Sequence, residues 1–406
     1  MPGASPSPFA SLRHRNYRLF FTGQTISLIG SWMQNLGQGW LVLQLTNSAF
    51  AVGLVSALGS LPVLLFSLPA GVYVDRTNKH RVVMVAQSLL LVLALVLGIL
   101  AARHDVAPWQ VGLIATLVGL VFAFEVPARQ SFMVDLVGKD DLMNAIALNS
   151  SAFNATRVLG PAVAGLLISA VGVAVCFLLN AASYVAVIVA LARMKLAPHA
   201  PAESTTNGWD RFKEGARFAL GDRRIRALII MTAILSVFGF PYVVLMPVFA
   251  RDVLHVGARG FGLLTASIGV GALVSALGLA VLGPRMRKGK IILWSGPAFA
   301  LAVGGFALSR WFPLAMLALA LSGVAMVLEN AVTNTLLQTL TPDALRGRVM
   351  GFWTFVFVGF TPIGSLQVGL MAGWFGAPAA VAVGAAVCFV SAVVMWRIVP
   401  EVARLR

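Results

Sequence analysis

The chain has 406 residues, is 59% hydrophobic and 11% charged, and carries a formal net charge of +16. A soluble domain is about 45–50% apolar and about 25% charged, so that class is excluded and a polytopic membrane protein is expected. The basic excess is no nucleic-acid footprint until its placement is known, and Cys176 and Cys388, the only cysteines, lie inside apolar runs, which leaves no disulfide framework or metal-ligand spacing.

Residues 1–16 form a short tail ending in Arg13 and Arg15. Span 1 is predicted at 17–45. Within it Gln24, Ser27, Ser31, Gln34 and Gln38 step by three and four, so they share one helical face. Gly23, Gly30 and Gly37 repeat every seven residues beside that stripe. Amides in hydrocarbon cost free energy unless they are bonded. The stripe therefore faces a water-filled cavity, or it bonds to a helix packed over the glycines. Such a run is unlike the apolar core of a signal peptide, and no cleavable leader is expected.

Span 2 is predicted at 50–74. The loop that follows carries Gly71, Asp75, Arg76, Lys79 and Arg81. Charges that dense belong at a membrane surface. Gly71 would let a second helix come close. Asp75 can accept hydrogen bonds from a helix N-terminus or pair with an arginine. A basic loop that only fixes topology has the same composition.

Span 3, at 82–102, is apolar except for Gln87 and Ser88. Span 4, at 109–132, contains Glu125, then Pro127, Arg129 and Gln130. Span 5, at 142–171, carries Ser150, Asn154 and Arg157 on one face, then Gly160, Pro161 and Gly165. Span 6 is at 173–192. Residues 193–226 are the longest polar stretch, with Pro198 and Pro201. Trp209, Phe212, Ala216 and Leu220 recur there at helical spacing. This reads as a flexible connector followed by a short amphipathic helix on the membrane surface. It separates a six-helix unit at 1–192 from another at 227–406.

Spans 7 and 8 are predicted at 227–250 and 261–282, and span 9 at 291–308. Span 10, at 312–340, holds Glu329, with Asn330, Asn334 and Gln338 on one face at steps of four. Span 11, at 349–372, contains Thr361 and Pro362. Span 12 is at 378–398.

Twelve spans place 25 of the 30 Lys and Arg on the side of the two termini, among them Lys139, Arg404 and Arg406. Arg103, Arg251, Arg259 and Arg310 fall on the other side, and Arg157 lies inside a span. The positive-inside rule then puts both termini in the cytoplasm, with the protein in the cytoplasmic (inner) membrane. Anionic lipid is a further partner for those cations.

The halves resemble each other weakly. The loop from Leu136 to Leu142 precedes that from Thr339 to Leu345 by 203 residues. Each joins a span with a buried Glu to a span with a later Pro. Pro284 stands where the second half would repeat Asp75. Two such halves enclose a cavity at mid-depth.

The Gly71-x-x-x-Asp75-Arg76-x-Asn78-Lys79-x-Arg81 segment between spans 2 and 3 resembles the loop signature of the major facilitator superfamily. Asn16–Tyr17–Arg18–Leu19–Phe20, Trp32–Met33–Gln34, Pro127–Ala128–Arg129–Gln130, Asn154-x-x-Arg157-x-x-Gly160–Pro161 and Leu345–Arg346–Gly347–Arg348 narrow the resemblance. Together they are similar to the drug:proton antiporter branch that includes enterobactin exporters and macrolide or multidrug efflux pumps. The resemblance covers the whole chain. It implies an all-α membrane fold with twelve helices in two pseudo-symmetric six-helix bundles, working by alternating access as a monomer. Gly160, Pro161 and Gly165 resemble the antiporter motif of helix 5, without its earlier glycine.

That family implies a latch: Asp75 and Arg76 engaging the start of span 11 near Arg346 and Arg348. Proton coupling needs a protonatable group inside a span. Of fourteen acids, Glu125 and Glu329 qualify, with Arg157 as a neutralising partner of Glu125 or an attractant for an anionic substrate. A structural ion pair of Glu125 with Arg129 or Arg157 is the alternative. Gln24, Ser31, Gln34, Gln38, Asn154, Asn330 and Asn334 are the polar candidates for a small-molecule site, with Trp32 and Phe240 as aromatic ones.

The expected function is efflux of small amphipathic molecules, of drug or siderophore class, in exchange for protons. Nutrient uptake is the alternative. No catalytic cluster, nucleophile elbow or metal-ligand pair speaks for an enzyme, and no cofactor is expected. No G-x-x-x-x-G-K-[ST] loop is present, so an ion gradient is the expected energy source.

Overall fold

Apolar periodicity and local capping build thirteen long helices in the computed structural model, which describes residues 9–138, 140–195, 208–282 and 287–401. Lys139, Pro198, Pro201, Pro284, Arg404 and Arg406, named above, lie outside the described residues. The first six helices are α1 (Arg15–Thr46), α2 (Ala49–Asp75), α3 (Lys79–Ala102), α4 (Pro108–Val137), α5 (Leu142–Val171) and α6 (Ala174–Ala192). The connector supplies α7 (Gly208–Gly221). Spans 7 to 12 are α8 (Arg223–Val253), α9 (Gly257–Leu282), α10 (Lys288–Leu308), α11 (Phe312–Leu340), α12 (Asp343–Phe375) and α13 (Ala377–Ile398). Among the described residues there is no strand.

Among the described residues eleven helices are long and apolar enough to cross a membrane. The first helix, α1, is not among them although it has 32 residues. Its amides and glycines lower its mean hydropathy, and it is held by packing along α5 and α6 instead. Helix starts follow local chemistry. The Ser48 hydroxyl accepts from Ala51 N–H at α2, and the Asn78 side chain accepts from Arg81 N–H at α3, the N-cap pattern.

Two spans are irregular. In α8 a π turn at Leu235–Gly239 passes into a 3-10 turn at Phe240–Leu245. Pro241 and Pro247 remove donors from the ladder there. A second π turn, Phe249–Val253, ends the span. Helix α12 breaks at Phe360, the residue between its two segments, because Pro362 starts the second one.

Each half repeats one packing scheme. In the first, α2 packs on α4, and α3 on α4 and α6; in the second, α9 packs on α11, and α10 on α11 and α13. Two long contacts join the halves, α2 with α12 and α5 with α9. Both are backbone to backbone. A Cβ on Gly53 would lie 2.7 Å from the Gly369 Cα, and one on Gly165 would lie 2.9 Å from the Gly262 Cα. These pairs sit toward the helix ends remote from the chain termini. The halves therefore close on that side.

The amphipathic α7 forms, and part of its aromatic face packs on α12. Phe212 stacks on Trp209 at 5.4 Å and meets Phe352 and Phe355 of α12 edge-on at 5.6 and 5.1 Å. Glu214 pairs with Arg348. Those partners draw the helix onto the start of α12. The N-terminal segment is tied down too: the Ser11 hydroxyl donates to Asn144 Oδ1 at 2.6 Å, and His14 Nε2 lies 2.7 Å from Asp141 Oδ2.

Candidate functional site

A cavity of about 400 Å³ lies between the halves. Helix α1 contributes most of its polar wall: Ser31, Trp32, Gln34, Asn35 and Gln38. The position of these amides follows from the glycine repeat. Gly23 and Gly30 lie against α6, and a Cβ on Gly30 would meet Asn180 Oδ1 and Ser183 Oγ at 2.5 Å. Packing over the glycines turns the neighbouring amide face toward the centre. Both readings of the stripe are realised in one residue, because Gln34 lines the cavity and also accepts a 2.6 Å hydrogen bond from Asn180 Nδ2.

Sequence reasoning missed several wall residues. Asn180 and Tyr184 enter from α6, Ser56 and Ser60 from α2, Phe122 from α4, and Phe261 and Thr265 from α9. The Ser31 and Tyr184 hydroxyls are 3.4 Å apart. A lone Asn and a lone Tyr inside the apolar run 174–192 were the only signal in the sequence. Among the described residues no Asp, Glu, Lys, Arg or His lines this wall.

Other candidates fall outside the wall. Gln24 is buried, with its carbonyl oxygen unpartnered. Asn154 donates to Ser150 O at 2.8 Å and Asn330 to Met326 O at 3.0 Å, each along its own helix. Asn334 accepts from Gln338 at 2.6 Å. Phe240 packs between Phe299 and Phe357, each at 5.6 Å, inside the second half. In α5, Gly160 lies against Trp32, Pro161 joins the wall and Gly165 meets α9. That motif thus wedges one helix between α1 and the opposite half.

The two membrane carboxylates occupy matching places with unlike partners. Glu125 on α4 is 1% exposed, and its Oε1 accepts from Arg129 Nε at 2.8 Å and from Gln87 Nε2 of α3 at 3.3 Å. Its Oε2 is buried without a partner. Glu329 on α11 is 4% exposed and accepts from the Ser295 hydroxyl of α10. No cation pairs with it among the described residues. Arg157 does not pair with Glu125: its Nη2 lies 3.7 Å from Met326 Sδ, across the boundary between the halves.

The charged loop is open. A Cβ on Gly71 would meet nothing within 4 Å, so the close approach expected there is absent. Asp75 and Arg76 are exposed, and neither makes an ion pair among the described residues. Lys79 pairs with Asp135 at 3.2 Å, and Arg81 is exposed. Arg346 pairs with Asp343, and Arg348 with Glu214. The contacts expected between Asp75 and the start of α12 are absent; Arg346 and Arg348 hold Asp343 and Glu214 instead. No group of three His, Cys, Asp or Glu side chains gathers as a metal site among the described residues.

A family profile described as "Transmembrane secretion effector" matches residues 6–404. The chain belongs to that family, within the major facilitator superfamily. Among curated relatives, the staphyloferrin A transporter of Staphylococcus aureus is 25% identical over 361 residues, 88% of this chain and 90% of that protein. The enterobactin exporter EntS of Citrobacter koseri is 27% identical over 356 residues, 88% of this chain and 85% of that one. Solved structures share the fold. The nucleoside transporter NupG has a TM-score of 0.72 at 14% identity, covering 95% of this chain and 98% of that one. A bacterial homologue of the lysosomal transporter Spinster, described as inward-facing and unoccupied, has a TM-score of 0.69 at 15% identity, covering 99% and 97%. This member of the transmembrane secretion effector family is a secondary transporter and not an enzyme. It is a multi-pass membrane protein with a small molecule as its cargo.

Proposed function

We propose that the chain exports small amphipathic molecules of the siderophore or drug class, by alternating access and in exchange for protons. The observation that carries this is the central cavity, walled by amides, hydroxyls and aromatic rings, in a protein whose halves meet on the side remote from the termini. Such a wall suits a cargo with an apolar body and scattered hydrogen-bonding groups. The cargoes for which the staphyloferrin A transporter and the enterobactin exporter EntS are named support the siderophore class.

In this reading the protein sits as a monomer in the inner membrane, with 1–192 and 227–406 as the rocking units and 193–226 joining them. Both termini face the cytoplasm, which makes the present state the inward-open one. Asp75 and Arg76 are then free because their partners at the start of α12 are reached only when the cytoplasmic side closes. Glu125 is the first proton carrier, since its second oxygen has no partner; Glu329 is the second.

Growth of an efflux-deficient host across a panel of siderophores, dyes and antibiotics tests the cargo. Protection against at least one compound is the expected result, with accumulation of that compound in everted vesicles abolished by dissipating the pH gradient. Accumulation of the same compound in whole cells would instead establish uptake.

A further inference from the structure

A groove of about 670 Å³ runs between α10 and α11, on the outer surface of the second half. Its floor is made by small residues, Ala298, Ala302 and Gly305 of α10 and Ala318 of α11. Its rim is made by leucines that point outward: Leu301, Leu317 and Leu321 are 65%, 56% and 52% exposed. The wall's one hydroxyl, on Ser295, is turned inward and donates to Glu329. The groove thus presents hydrocarbon along its length, and water gains nothing by filling it.

One end is different. Lys290 lines the groove at the start of α10, is exposed, and has no ion-pair partner among the described residues. Arg287 and Lys288 adjoin it. Trp294 lines the same end, is 67% exposed and lies edge-on to Trp396 at 5.4 Å. Lys beside Trp is the pattern of a headgroup boundary. From Lys290 to Gly305 the helix rises roughly 22 Å at 1.5 Å per residue. That exceeds half of a hydrocarbon core about 30 Å thick, so the groove can take a whole acyl chain below a headgroup at Lys290.

We propose that this groove is a binding site for one anionic phospholipid, drawn from the leaflet on the side of the chain termini. The acyl chain lies over the alanine floor and the phosphate meets Lys290. An exposed cation near a headgroup contributes roughly fivefold in affinity for an anionic lipid. A zwitterionic headgroup offers Lys290 a phosphate beside a competing cation, so it binds there less well.

The test is native mass spectrometry of the full chain, released from detergent with phosphatidylglycerol or phosphatidylcholine of identical acyl chains. Preferential retention of one phosphatidylglycerol is expected. Lys290→Ala should cut that preference about fivefold, and Lys290→Arg should keep it. Gly305→Leu fills the groove at a position with nothing within 4 Å, so the fold is spared and the retained lipid should be lost. Equal retention of both lipids by the wild type overturns the proposal. So does an unchanged preference in Lys290→Ala, or full retention in Gly305→Leu.

Discussion

Arg251 of α8 reaches across the boundary between the halves to Asn47, the residue that caps α1. Its Nη1 donates to Asn47 Oδ1 at 2.8 Å and to the Leu43 carbonyl at 3.1 Å. Asn47 adopts the left-handed conformation (φ 50°) that Asn tolerates better than most residues. Leu43 O, in the last turn of α1, also accepts from Asn47 N–H at 2.9 Å. Asp252 holds the other side of the guanidinium, 2.6 Å from Nε. The π turn at Phe249–Val253 is what carries Arg251 to this position.

Arg251→Ala should therefore loosen the closed side. The hydrogen bonds involve a charged donor but are partly exposed, so a loss of about 1 kcal/mol is expected, roughly a fivefold shift toward opening. Spin labels at Leu45 and Trp374, in a chain with Cys176 and Cys388 changed to alanine, would report it as a longer distance component. An unaltered distance distribution would remove Arg251 as a latch.

Glu125 and Glu329 should respond differently to neutralisation. Glu125→Gln leaves the Arg129 guanidinium without its carboxylate, and breaking a buried pair costs several kcal/mol. Arg129 is 19% exposed, so about 2 kcal/mol is expected. Glu125→Gln with Arg129→Gln should recover most of that, the signature of a coupled pair. Glu329→Gln keeps an acceptor for Ser295 and strands no cation, so its stability should change by less than about 1 kcal/mol. Thermal unfolding in detergent distinguishes the three. Equal losses for both single variants would mean that pairing is not what separates these sites.

The difference between those two glutamates shows what the amino-acid pattern could carry. That both would be buried was legible, because charges are rare in apolar runs. So was the pairing of Glu125 with Arg129, one turn on along α4. Gln87 and Ser295 were not, since they lie on neighbouring helices and look like ordinary polar residues of a span. The amide stripe of α1 pointed to the cavity because period and composition coincide there. The Asn330–Asn334–Gln338 row has the same period, yet Asn330 bonds to its own helix and Asn334 to Gln338. Periodicity fixes a shared face and leaves open whether that face is satisfied locally. Asn180 escaped for the opposite reason: one amide in an apolar run makes no pattern. The break at Phe360 was foreshadowed by Pro362, whereas the π turns of α8 depend on tertiary packing as well as on its prolines.

Asp222 gives a pH-dependent prediction outside the membrane spans. It caps α8, its Oδ1 accepting from Arg224 N–H at 2.8 Å and Ile225 N–H at 3.1 Å. Burial alone would raise its carboxyl pKa, but the Arg224 guanidinium and the two backbone donors outweigh burial and hold it below the usual carboxylate range. A folded value below the unfolded one means that stabilisation is present above the unfolded value. It is lost as pH falls through the folded one. Asp222→Ala should cost about 1 kcal/mol at neutral pH, the usual value of a cap. The gap from wild type should narrow as the solution is acidified below the ordinary aspartate range. A gap that stays constant with pH would show that the charge of the cap is immaterial.

The cavity wall makes a sharper claim about the cargo site than the polar stripes did. Asn180 is fully buried, donates to Gln34 and reaches the wall from α6. Asn154, of the same residue type, lies outside the wall and bonds along its own helix. Asn180→Ala removes the donor that orients the Gln34 amide, so the cargo meets a misaligned acceptor. One lost hydrogen bond is worth about 1 kcal/mol, and half-saturation of transport should rise roughly fivefold. Asn154→Ala should leave it within about twofold, because the bond it loses is local and partly solvated. The comparison is made on everted vesicles with whichever compound the host panel selects, at equal amounts of folded protein. If the two variants shift half-saturation alike, the wall described by α1 and α6 is not where the cargo binds.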